Sequence, residues 1–371
     1  MISRGSIFYP TYRDIRDALL ASSRPSTNFL LEYLGNRGFF ISSDLPREAI
    51  IEEIARKNIS YNDFEELLEL IEVHSRNEKS TFKKIKPDNL SLDAIKTNEL
   101  VQKLTKQRSD FNERFNVEVE DSGKISIKVN YTEHDYGKTV LRQRRSRESK
   151  IEIIPDSGSY VLRSPSNDRM RQIVKDFVHI ISDENKDDIN LKEIDLSAFN
   201  RESRTIFFRK LIYAINGYSF QDVIKVGIEN KVNEIEYTET NDNDSSDEEI
   251  AVDKEIIEEE IKSFLNKASL DGKGLLHSQE LKLFLDSGFF FSRVIWIVRN
   301  KKEKVVLEAL MEDPVEGKNY KYAVKGIFPI KKDGEYARNM QQPKPEQKRW
   351  MCHLLEEASC KVYEEILNEE T

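Results

Sequence analysis

The chain has 371 residues, 38% hydrophobic and 34% charged, which is enough apolar material for roughly two or three cored domains and rules out wholesale disorder. Its formal charge of −9 argues against a nucleic-acid partner only until the charge is mapped. Residues 229–262 hold fourteen Asp/Glu and three Lys, net −11, and leave the rest of the chain at +2.

The opening MISRGSIFYPTYRD lacks the apolar core and cleavage site of a signal peptide. Tyr12 to Ala21 predicts a first short helix. Ser26 or Thr27 can cap a second, with Phe29, Leu30, Leu31 and Leu34 near its buried stripe and Gly35 and Gly38 at its end. Asp44 is expected to cap a third, with Pro46 in its first turn and Ile50, Ile51 and Ile54 as its apolar face. Ser60 and Asp63 form a capping box for a fourth, striped by Phe64, Leu67, Leu68 and Ile71. Residues 76–90 read as a polar linker, and Ser91 to Phe115 as one long helix.

At Val117 the period changes to two. Ile125, Ile127 and Val129 alternate with polar residues, and Lys150–Ile154 and Ser159–Arg163 read as strands joined at Pro155 to Gly158. A helix with Ile173, Val174, Phe177, Ile180 and Ile181 follows, then another over Glu202–Ile215 and a strand over Phe220–Ile228. The centre of the acidic tract, ETNDNDSSDEE, has no apolar residue and is expected to be disordered, with an apolar stripe starting at Ile256. Beyond it come a helix at Ser278–Leu285 and strands at Phe289–Val298, Lys304–Met311 and Tyr320–Phe328. A long final helix starts after Pro345. The apolar run at Phe289–Val298, broken by Ser292 and Arg293, is far short of the roughly 20 residues of a membrane span. Cys352 and Cys360 sit eight positions apart on the last helix, about 12 Å along its axis, too far for a disulfide. Two unbridged thiols suit a cytoplasmic protein.

The predicted class is α+β. The expected organisation is a helical domain (1–75), a linker and long helix (76–116), a basic α+β module (117–228), an acidic linker (229–262) and a second basic α+β module (263–371). Residues 123–175 carry twelve Lys/Arg against six Asp/Glu, and 293–349 carry fourteen against eight. Such surfaces attract phosphates through counterion release. The expected contacts are Arg142, Arg144, Arg145, Arg147, Lys150 and Arg163 in one module and Lys321 and Lys325 in the other. A charge run is also the ordinary mark of a solvated face, and that reading stays open.

Residues 27–57 resemble the SAP motif, a helix–extended loop–helix DNA-binding module. Leu30, Leu31 and Leu34, then Arg37-Gly38-Phe39, then Ile50, Ile51 and Ile54 carry the resemblance. It implies that Arg37 and Arg47, at the start of the second helix, lie near phosphates. A plain helical bundle accounts for the same apolar positions.

Chemical motifs are sparse. Glu133-His134-Asp135 at a strand end can exchange protons or bind a metal only if the chain turns, since adjacent strand residues face opposite sides. A metal-dependent nuclease would use Glu308 with Asp313, although the position two beyond Glu308 is Leu310 and not lysine. The sequence therefore predicts a non-enzymatic accessory protein that binds nucleic acid, DNA in the first instance, and requires no metal or cofactor. The alternatives are a protein–protein adaptor subunit of a bacterial complex, such as an antiviral defence assembly, and the nuclease.

Overall fold

The computed structural model describes residues 10–22, 25–71, 78–86, 94–120, 123–156, 158–185, 190–230, 267–331 and 333–370. In chain order its elements are α1 (Tyr12–Leu20), α2 (Thr27–Gly35), α3 (Arg47–Ala55), α4 (Tyr61–Ile71), β1 (Ser80–Lys86), α5 (Ala94–Gln107), β2 (Arg114–Val119), β3 (Ile125–His134), β4 (Arg144–Asp156), β5 (Ser159–Pro165) and α6 (Asp168–Asn185). They continue with β6 (Asn190–Lys192), α7 (Arg201–Leu211), β7 (Ser219–Glu229), β8 (Lys267–Asp271), α8 (Gln279–Asp286), β9 (Phe290–Arg299), β10 (Glu303–Asp313), β11 (Lys318–Pro329) and α9 (Pro345–Glu370). The class is α+β with antiparallel strand pairing. Apart from Glu229 and Asn230, the acidic tract lies outside the described residues.

Two compact units are present, and neither is a single stretch of chain. The first comprises Met1–Arg76, Leu90–Glu152 and Ile173–Lys186; the second comprises Asn77–Asn89, Ile153–Gln172 and Asp187–Thr371. This corrects the expected serial order. β7, placed by sequence in one module, pairs along its length with β9 of the other. Shifts in composition mark where a chain changes character, but strand pairing is non-local and ignores them.

In the first unit, α1 to α4 bury Ile15, Leu19, Leu30, Leu34, Ile50, Ile54, Leu67 and Ile71 in one cluster. The Ser60–Asp63 box forms, with Asp63 N donating to Ser60 Oγ (3.2 Å) and Ser60 N to Asp63 Oδ2 (3.1 Å). Asp44 does not cap α3. Pro46, fixed at φ −63° and ψ 150°, occupies the N-cap itself without a side-chain bond, which puts Asp44 two residues too early. The long helix expected to reach Phe115 stops at Gln107. A tight turn at Ser109–Phe111 and a left-handed Asn112 (φ 52°) lead into β2, where Phe115 and Val117 alternate with Asn116 and Glu118. β2 and β3 pair from Arg114↔Asn130 to Val119↔Ile125, and Ile125, Ile127, Val129 and Tyr131 are buried.

The second unit orders its strands β5-β1-β11-β10-β9-β7-β8, with β6 also pairing β1. β1 was hidden in the expected linker. It buries Phe82 and Ile85, three apart rather than alternating, while Lys83 and Lys84 between them pair with Glu193 and Asp156 at 2.7 Å. Three lysines in seven residues and no period of two look like a linker, and only the partner strands show otherwise. One sheet face carries Trp296, Leu307, Ala309, Tyr322 and Val324 against Phe207, Phe208 and Leu211 of α7 and Met351, Leu355 and Val362 of α9. Each large side chain so buried stabilises the unit by about 1.5–3 kcal/mol. No helix among the described residues is long and apolar enough to cross a membrane.

Both cysteines are free thiols on α9, Cys352 buried and Cys360 partly covered. Burial pushes the Cys360 thiol up to about 11. Its thiolate fraction at pH 8 is therefore small, and alkylation of the native protein is expected to run roughly tenfold or more slower than in urea. Mass spectrometry after timed iodoacetamide quenching measures this, and equal rates would contradict the assigned burial.

Candidate nucleic-acid interface

Strand register fixes which side chains share the second face of the sheet in the second unit. Arg293 stands opposite Leu310, Ile295 opposite Glu308, Ile297 opposite Val306 and Arg299 opposite Lys304 in β9–β10. Across β10–β11, Leu310 faces Lys321, Glu308 faces Ala323 and Lys304 faces Phe328. Directly opposed residues lie on one face. This face therefore has an aliphatic centre and cations at both ends, and Ile295, Ile297 and Leu310 are partly exposed.

At its centre Glu308 is fully buried beneath three cations. Arg293 Nη2 lies 2.6 Å from its Oε1, and Lys79 and Lys325 Nζ lie 3.4 Å away. Burial acts to raise the Glu308 carboxyl, and the charges of Lys79, Arg293 and Lys325 outweigh it and hold it below the usual range. Three cations to one carboxylate leave local positive charge uncompensated. Glu312 takes Lys321 and Arg171.

Exposed cations gather at the end of this face. Asn300 shapes the β9–β10 turn by accepting from Lys302 N (2.8 Å) and Glu303 N (3.0 Å) through Oδ1, which turns Lys301 and Lys302 outward. The loop after β11 is tied to that turn. Ile330 N donates to Lys302 O (2.9 Å), and Tyr336 Oη donates to Asn300 O (2.9 Å). Gly334, at φ +81°, supplies the left-handed residue the loop requires. Lys304 Nζ lies 4.4 Å from the Tyr336 ring centroid. Arg299, Lys301, Lys302, Lys331 and Arg338 are exposed here, and none meets a carboxylate among the described residues. The acidic side chains nearby are Asp333, Glu335 and the buried Glu303, which accepts from Tyr218 Oη at 2.7 Å.

The residues nominated from sequence meet different fates. Arg37 stacks on Tyr33 at 3.6 Å, donates to Tyr33 O (2.8 Å) and pairs with Asp63 (2.8 Å) and Glu66 (2.5 Å). Arg47 donates to Leu19 O (3.1 Å) and Ser22 O (2.8 Å), and Arg142 to Ala21 O (2.6 Å). These three tie the helices of the first unit together. Arg147 pairs with Glu133 (2.8 Å), and Lys150 lies near Glu152 (3.6 Å) and Glu120 (3.7 Å). Arg145, half-buried, helps hold the Asp135 carboxyl low, after Lys138 and the Gly137 amide. Arg163 is 5% exposed and grips Glu356, so phosphate contact is withdrawn for it. Arg144 stays exposed with no carboxylate partner among the described residues. Lys321 and Lys325 fall on the cationic face but hold Glu312 and Glu308.

The structure separates the candidate catalytic carboxylates. Asp313 is an odd number of residues beyond Glu308, so strand alternation puts it on the opposite face, roughly 16 Å along. Its Oδ1 caps Glu316 N at 3.1 Å. Glu133, His134 and Asp135 also diverge, to Arg147, the Tyr136 ring and Lys138 respectively. No group of three or more His, Cys, Asp or Glu among the described residues could hold a metal ion.

The cations that sequence reasoning missed are those of the turn and the loop tied to it. The β9–β10 turn falls in the gap between the expected strands Phe289–Val298 and Lys304–Met311, but nothing in the sequence says that residues 330–338 return to it. No protein-family model matches the chain, and no curated protein matches it in sequence.

Proposed function

We propose that the chain is a non-enzymatic nucleic-acid-binding accessory protein, and that its second unit contacts the phosphate backbone through the basic tip and the adjoining face. The observation that carries this reading is the gathering of Arg299, Lys301, Lys302, Lys331 and Arg338, exposed and without carboxylate partners among the described residues. Several of the other described cations are held by carboxylates or backbone carbonyls, among them Arg37, Arg47, Arg142, Arg147 and Arg163. Five left unpaired and drawn together by hydrogen bonds fit an external polyanion. The reading includes DNA as the polymer and a cytoplasmic setting, the latter supported by two free thiols. In the SAP-like segment, α2, the 36–46 loop and α3 support the layout, while Arg37 and Arg47 have internal partners.

Filter retention of duplex DNA tests it. With about five phosphate contacts, affinity should fall on the order of several hundredfold between about 50 and 200 mM salt. The variant Lys301→Glu, Lys302→Glu, Lys331→Glu should lose most retention and flatten the salt slope by about 0.9 per contact. No retention of wild type at low salt, or an unchanged slope in the variant, refutes the proposal.

A protein–protein adaptor is the second reading, and the α2–α3 loop favours it. Phe40 is 88% exposed there, beside the partly exposed Phe39 and Leu45. Under that reading Phe40→Ser abolishes co-purification of a partner and leaves DNA retention unchanged.

A further inference from the structure

The first unit holds a groove of about 660 Å³ that the tip does not involve. It is lined by Arg114 of β2, Asn130 to Thr132 of β3 and Arg144 and Ser146 of β4, and by the end of α5 with the turn that follows. Arg114 stands opposite Asn130 in β2–β3, and Arg144 opens β4 on the other side of β3. Both arginines are exposed, and among the described residues neither meets a carboxylate. Arg114 stands beside Asn130, whereas the Arg147–Glu133 pair and the Asp135 N to Gln143 O bond place Arg144 near the far end of β3, so the two guanidinium groups stand at opposite ends of one cleft, offset along the strands as well as across them.

Between them the lining is hydroxyl and amide: Thr105, Asn112, Asn130, Thr132 and Ser146. Asn112, whose left-handed backbone (φ 52°) ends the 109–111 turn, adds its amide to the wall. The one carboxylate in the lining, Glu113, is turned inward. Its side chain is fully buried and held by Arg108 through Nε (2.5 Å) and Nη2 (2.9 Å), so its charge is compensated. The groove thus offers two unopposed cations and a set of neutral donors and acceptors, at a volume suited to a small ligand.

We propose that this groove binds a sugar-phosphate unit, with Arg114 and Arg144 on phosphate oxygens and the amides and hydroxyls on the sugar. Guanidinium forks match phosphate geometry with charge-assisted bonds, and hydroxyl-bearing sugars use the neutral lining. A free nucleotide and a nucleic-acid backbone both present this chemistry. The site is independent of the tip, and it stands even if the tip binds nothing.

Titration calorimetry of the full chain tests it with two probes, a nucleoside 5′-diphosphate and a short single-stranded oligonucleotide. The variant Arg114→Ser, Arg144→Ser should weaken whichever probe binds by roughly tenfold or more. Exposed arginines change stability little, and thermal unfolding checks that the variant folds. Asn130→Asp, which sets a carboxylate between the arginines, should weaken the same probe. The Lys301→Glu, Lys302→Glu, Lys331→Glu variant should leave nucleotide binding intact, which separates failure of this site from failure of the tip. Nucleotide binding without oligonucleotide binding identifies the free ligand as the source, and the reverse identifies the strand. Wild type that binds neither probe, or groove variants that bind as tightly as wild type, overturns the proposal.

Discussion

Glu356→Ala should destabilise the protein by about 3–5 kcal/mol, seen as a lower urea midpoint in chemical unfolding. Arg163 (5% exposed) and Glu356 (3% exposed) form a bidentate pair, Nε to Oε1 at 2.6 Å and Nη2 to Oε2 at 2.7 Å. The fully buried Tyr322 donates its phenol proton to the same carboxylate. Burial works against the Arg163 charge, but the Glu356 hydrogen bonds and charge more than offset it and keep the guanidinium protonated. Burial and the Glu356 charge hold the Tyr322 phenol far above its ordinary range, so it remains a neutral donor. Deleting the carboxylate strands a buried cation and a buried hydroxyl together, and that accounts for the size of the loss. Arg163→Met with Glu356→Leu removes both charges and should recover most of it. A double variant as unstable as the single one would show that packing, not the stranded charge, sets the cost.

That pair also shows where the sequence stops being readable. Arg163 belongs by position to a basic run, and nothing local says that a carboxylate 193 residues later will bury it. Local rules did well wherever the signal was local. The Ser60–Asp63 box, the helix α8 and the strands β9 to β11 stand close to their expected positions. They failed where structure is decided at a distance. β1 has the composition of a linker and becomes a strand through β5 and β6, and β7 finds its partner across the acidic tract. The candidate interface follows the same division. The turn that exposes Lys301 and Lys302 is written in Asn300, whereas the approach of Lys331 and Arg338 depends on bonds between segments roughly 30 residues apart, a separation that no periodicity encodes.

Glu308→Gln should move stability and DNA retention in opposite directions. The carboxylate is fully buried, yet Lys79, Arg293 and Lys325 remain about one-third exposed. Solvent screens their repulsion, so the loss at neutral pH should be about 1–3 kcal/mol rather than that of a closed pair. The folded carboxyl is held low, so its contribution is complete above the unfolded value near about 4.3 and disappears as pH falls through the folded one. Wild type should therefore lose this margin in acid, and E308Q, which lacks the margin at neutral pH, should show a flatter acid limb in its stability profile. Retention should respond the other way. Neutralising the one carboxylate beneath three cations frees a positive charge for phosphate, so the salt slope should steepen by about 0.9. A destabilised E308Q that retains DNA with the wild-type slope would confine Glu308 to packing and remove the sheet face from the interface, leaving the tip alone to hold the backbone.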